Sequence, residues 1–95
     1  MDIGRFTNIL AQVNAETGLD IALYPAYSPE KTAQDGTGIG YMLFRPGETP
    51  VRKLLLILDQ ASHNHAEAST QIGAEIRSFW ASGNEELSRT RTIFY

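Results

Sequence analysis

The residues best placed to do chemistry are two histidines one position apart, in His63-Asn64-His65, with Asp59 before them and Glu67 after. An H-x-H pair supplies two metal ligands, and a closed or catalytic site needs at least a third. Only those two carboxylates are near in sequence, so the stretch reads instead as a polar turn leading into a helix N-terminus. Gly36-Thr37-Gly38-Ile39-Gly40 has the glycine density of a phosphate loop. It leads into a strand pattern, however, and the helix amides that hold a phosphate are missing. Asp20, Asp59, Glu67 and Glu75 show no spacing that implies paired acid–base work. Ser62 and Ser69 lie outside any nucleophile-elbow pattern. No catalytic residue, cofactor site or metal site is therefore expected, and the chain is not expected to be an enzyme.

Arg45, Arg52, Lys53, Arg89 and Arg91, interleaved with Tyr41 and Tyr95, would make a surface for single-stranded nucleic acid if they shared one sheet face. The net charge of −3 and the scatter of these cations along the chain favour a solvated face or subunit salt bridges. No sequence-specific nucleic-acid partner is expected. The chain has 95 residues, 42% of them hydrophobic and 20% charged, the balance of an ordinary globular protein. That length makes one domain, residues 1–95, with a thin core for which oligomerisation is a common remedy. With no cysteine, disulfides and thiolate sites are excluded. Met1–Arg5 lacks the pattern of a signal peptide and no membrane span is evident, so a soluble protein made inside a cell is expected.

The elements follow from periodicity. Ile3, Phe6, Ile9, Leu10 and Val13 recur at helical spacing, which predicts a helix from about Ile3 to Thr17 with Gly18 at its C-cap. Leu19, Ile21 and Leu23 alternate with polar or small neighbours, which predicts a strand over Leu19–Tyr24 ended by Pro25. Ala26–Gly38 is rich in turn formers and reads as a long exposed loop, a common place for contacts. Ile39–Arg45 is a second strand. The apolar run from Val51 to Asp59 is a third, and Leu54–Leu58 are apolar at every position. Such a strand lies centrally or has its second face covered, for instance by a neighbouring subunit. Asn64 and Glu67 suggest a capped helix start. Ala68, Ile72, Ile76, Phe79 and Trp80 form the apolar stripe of a helix from about His65 to Ser82, closed by Gly83. Ser88–Tyr95 reads as a last strand, which must pair inside the sheet or with another copy to be ordered. The predicted order is α-β-β-β-α-β, an α+β fold with two helices packed on one small, mostly antiparallel sheet.

The span from Val51 to Trp80 carries a resemblance. An arginine-led apolar strand, Arg52-Lys53-Leu54-Leu55-Leu56-Ile57-Leu58-Asp59, ends on an acid and is followed by a short polar turn. An alanine-rich helix comes next, His65-Ala66-Glu67-Ala68 through Ala74-Glu75-Ile76-Arg77, and then a closing strand. With Leu23-Tyr24-Pro25 after an N-terminal helix, the pattern is similar to that of the tail-terminator, or tail-completion, proteins of long-tailed bacteriophages. The resemblance implies a structural virion protein, assembled in the host bacterial cytoplasm. Six copies would form a ring that caps the tail tube and joins it to neighbouring tail-tube or head-neck proteins. Interface candidates are Tyr27, Lys31 and Asp35 in the long loop and Arg89, Arg91, Ile93 and Tyr95 on the last strand. The alternative is a small binding or inhibitory protein, such as an anti-defence factor or secretion chaperone, that docks its loop or a sheet edge on one partner.

Overall fold

The computed structural model describes residues 3–25, 38–60 and 64–95. Among them the order is α1 (Ile3–Thr17), β1 (Ala22–Leu23), β2 (Ile39–Phe44), β3 (Lys53–Asp59), α2 (His65–Ala81), a 3-10 turn (Gly83–Glu85) and β4 (Ser88–Phe94). This is the expected α+β arrangement of two helices and one four-stranded, mostly antiparallel sheet.

The strands stand in the order β1-β2-β3-β4. β1 with β2 and β2 with β3 are antiparallel, whereas β4 runs parallel to β3. Parallel neighbours need a crossover, and α2 supplies it, folding back over the sheet between the two strands. β3 is thus an inner strand, flanked on both sides by full-length partners. The last strand pairs inside the sheet, where Tyr95 N–H also donates to the Asp59 carbonyl at 2.9 Å.

α1 ends as expected, with Gly18 in the left-handed region at φ 71° and its N–H donating to the Asn14 carbonyl. α2 begins on Asn64, whose Oδ1 accepts from the Glu67 N–H at 3.1 Å. The Glu67 carboxylate does not return to the Asn64 backbone but accepts from its side-chain amide, also at 3.1 Å. Gly83, at φ 75°, follows the helix end.

The strand expected over Leu19–Tyr24 is shorter than its alternation suggests. Asp20 sits at φ 57°, which breaks the extended run. Asn14 then takes both backbone groups of Ile21, accepting from its N–H at 2.7 Å and donating to its carbonyl at 2.8 Å. A side chain from the helix therefore does what a neighbouring strand would do, and the ladder begins only at Ala22.

Both helices lie on one face of the sheet. Phe6 of α1 stacks on Tyr41 with ring centroids 4.3 Å apart. The α2 stripe of Ala68, Ile72, Ile76 and Phe79 is fully buried together with Leu43, Leu54, Leu56 and Leu58. Gly73, also buried, lies where α2 meets Val13 of α1. A β-carbon there would stand 2.9 Å from the Arg77 guanidinium, so the missing side chain lets the helices close up and the arginine lie across them.

A candidate protein contact surface

The strand period of two divides the side chains of β3 into sets on opposite faces. Leu54, Leu56 and Leu58 point to the helices and are sealed; Lys53, Leu55, Ile57 and Asp59 point away and are half-buried. Registry carries the division across the sheet. Opposite Leu55 stands Met42, and opposite Lys53 stands Phe44. On the parallel neighbour, Asp59 is paired with Phe94 and Leu55 with Thr90. The second face thus carries Met42, Phe44, Leu55, Ile57 and Phe94, and among the described elements no helix packs on it. Phe94 is 55% exposed, a high value for a phenylalanine. At one corner Tyr24 meets Phe44 edge-on, with centroids 5.3 Å apart, and the Lys53 ammonium lies 4.4 Å above the Tyr24 ring. That contact fixes a long cationic side chain at the rim of an apolar patch.

Of the residues expected at an interface, the structure describes only the four on the last strand, and their side chains lie on the helix side of the sheet. Tyr27, Lys31 and Asp35, like most of the Ala26–Gly38 loop, are outside the described residues. Ile93 and Tyr95 are core residues, 3% and 9% exposed, and the Tyr95 ring lies 5.1 Å from that of His65. Arg89 and Arg91 are on the helix face and are tied to α2. Arg89 Nε donates to both Glu86 carboxylate oxygens at 3.0 and 3.1 Å, and its Nη1 reaches Glu75 at 3.3 Å. Arg91 Nε stands 3.6 Å from Glu75. The hydrogen bond from Arg89 holds the Glu86 carboxyl below its ordinary range, and Glu86 in turn raises the Arg89 guanidinium. These arginines close ion pairs within the chain. The five cations do not form one basic face, because Lys53 is on the opposite side and Arg52 is buried.

Arg52 is the feature the sequence hides. It is 1% exposed, and its Nε and Nη2 are hydrogen-bonded within the chain. Nε donates to the Glu86 carbonyl at 3.0 Å; Nη2 donates to the Phe79 carbonyl and, at 3.0 Å, to Ser82 Oγ. Its guanidinium lies 4.5 Å from the centre of the Phe79 ring and 3.8 Å from the Glu48 carboxylate. Glu48 also accepts from the Trp80 indole N–H at 3.2 Å. A cation at the carbonyl end of α2 suits the helix dipole. It ties the β2–β3 turn, the end of α2 and the start of β4 into one network, which reads as architecture.

Among the described residues no group of three or more histidine, aspartate or glutamate side chains could hold a metal, and no helix is long and apolar enough to cross a membrane. A cavity of about 240 Å³ opens between the helices at Ile9, Gln12, Ser69, Gly73 and Arg77. It is smaller than the usual ligand pocket of roughly 300–1,000 Å³, and the Arg77–Glu16 ion pair spans the two helices beside it. No family model matches this chain, and no curated protein or solved structure matches it either.

The residues of the second face left a partial signal. The two-sided apolarity of Leu54–Leu58 marks a strand whose outer face is also fit for burial. Tyr41-Met42-Leu43-Phe44 carries the same signal in the neighbouring strand. Phe94, between two core residues, is legible only once Ile93 and Tyr95 are known to point inward.

Proposed function

We propose that this protein is a non-enzymatic assembly protein that self-associates through its sheet. The observation that carries the reading is the helix-free face bearing Met42, Phe44, Leu55, Ile57 and Phe94 on a domain whose other face is already sealed. Apolar side chains gathered on one side of a small domain mark a contact surface, whereas singly scattered ones do not. The resemblance to tail-terminator proteins gives this reading its specific form: a virion protein whose six copies make a ring at the end of a tail tube. The rival form is a small binding module that docks on one unlike partner.

Light scattering coupled to size exclusion, over a concentration series, separates the two. A discrete oligomer, or a mass that climbs with concentration, is the result expected of an assembly protein. A strict monomer at every concentration would overturn self-association and favour the binding module. The ring form carries a further expectation: the protein should be found in purified phage particles by mass spectrometry.

A further inference from the structure

Resting on the self-association reading, we infer that the occupant of the helix-free face is a second copy of the same chain, seated by a two-fold axis that lies between the two sheets, perpendicular to β3 and over its middle. The charge pattern of that strand carries the inference. Its outward side chains run Lys53, Leu55, Ile57, Asp59: a cation, two aliphatics, an anion. A two-fold across the centre reverses the strand direction in the partner. Lys53 then faces Asp59 of the second copy, Asp59 faces its Lys53, and Leu55 packs on Ile57 in both directions. Any isologous interface must be self-complementary in this way. A strand with like charges at its two ends would set cation against cation under the same axis.

The reach also fits. Sheets packed face to face stand about 10 Å apart, a gap that an extended lysine and an aspartate span together. Lys53 is already held at the rim of the patch by the Tyr24 ring, 4.4 Å away. Less rotamer freedom remains to be lost when it meets a partner. A carboxylate accepts several hydrogen bonds at once, so an added one from the partner leaves room for those Asp59 makes within its own chain. An isologous pair closes on itself, so a ring of six would need a second contact to join the pairs.

Charge exchange tests the pairing. Lys53→Asp and Asp59→Lys each set like charges against each other twice per pair. Each alone should weaken association at least about tenfold by sedimentation equilibrium. The double variant should associate within about threefold of wild type, and an equimolar mixture of the two single variants should pair with each other. Such rescue is the expected result. Single variants that associate like wild type, or a double variant no better than either single one, would overturn the pairing while leaving self-association intact.

A second measurement uses the unaltered protein. Zero-length carbodiimide coupling of a mixture of 14N- and 15N-labelled chains should yield a Lys53–Asp59 peptide of mixed isotope composition. An oligomer without that cross-link contradicts the inference. A wild-type chain that stays monomeric contradicts the reading on which it rests.

Discussion

On the helix side of β3, Leu54, Leu56 and Leu58 are sealed beneath Ile72, Ile76 and Phe79, with every one of them at 1% exposure or less. On the other side of the same strand, Leu55 and Ile57 are of the same kind but only half-buried. Facing the helices, Arg89, Arg91, Glu75 and Glu86 are matched within the chain. On the helix-free face, Lys53 and Asp59 stand at the two ends of an apolar row. The first face is completed by folding; the second has the composition of a surface completed by association. The run Leu54–Leu58, apolar at every position, therefore serves two faces, one sealed by α1 and α2 and the other the face proposed for association.

Substitutions on the two faces should separate stability from association. The largest effect is expected of Ile76→Asp, which sets a carboxylate into the sealed core. It should unfold the domain outright, as read by circular dichroism. Next is Arg52→Leu, which strips the partner from the Phe79 and Glu86 carbonyls and from Glu48. A loss of about 3 kcal/mol in denaturant-derived stability is expected, the scale of a broken buried pair. Ile57→Lys, on the helix-free face, should change monomer stability by no more than about 1 kcal/mol and abolish association. If it unfolds the chain instead, the face is part of the monomer core and the comparison fails.

The smallest effect concerns pH. Glu86 has its carboxyl lowered in the folded state, first by the hydrogen bond from Arg89. A depressed carboxylate stabilises the fold above its ordinary value of 4.5, and that contribution is lost as pH falls through the lowered folded-state value. Thermal melts of Glu86→Gln should accordingly fall less steeply than wild type across the acid range. Equal slopes would show that the pair adds nothing to the pH dependence.

Much of this fold is legible in the residues. Phe6, Leu10 and Val13 mark the buried stripe of α1, and Ala68 to Trp80 that of α2, because helical periodicity follows local geometry. The caps at Gly18 and Asn64 are legible for the same reason. What is not legible depends on tertiary placement. The capture of Ile21 by Asn14 shortens β1, and no spacing rule anticipates it. An arginine at a strand entrance reads as surface, yet Arg52 is buried because the end of α2 delivers two acceptors to it and the approach to β4 a third. Arg89 and Arg91 look available until the crossover brings Glu75 above them. Ile93 and Tyr95 have the same history. As core residues they make removal of 92–95 a loss of stability for the whole domain, where a terminal strand alone would suggest a loss of assembly.

The most direct measurement is a dilution series of backbone amide spectra on 15N-labelled wild-type protein. Concentration-dependent shifts should cluster on Met42, Phe44, Leu55, Ile57 and Phe94, with the amides of α1 and α2 unmoved. Shifts confined to the helices, or none at a concentration where the mass has risen, would contradict the assignment of the helix-free face as the contact surface.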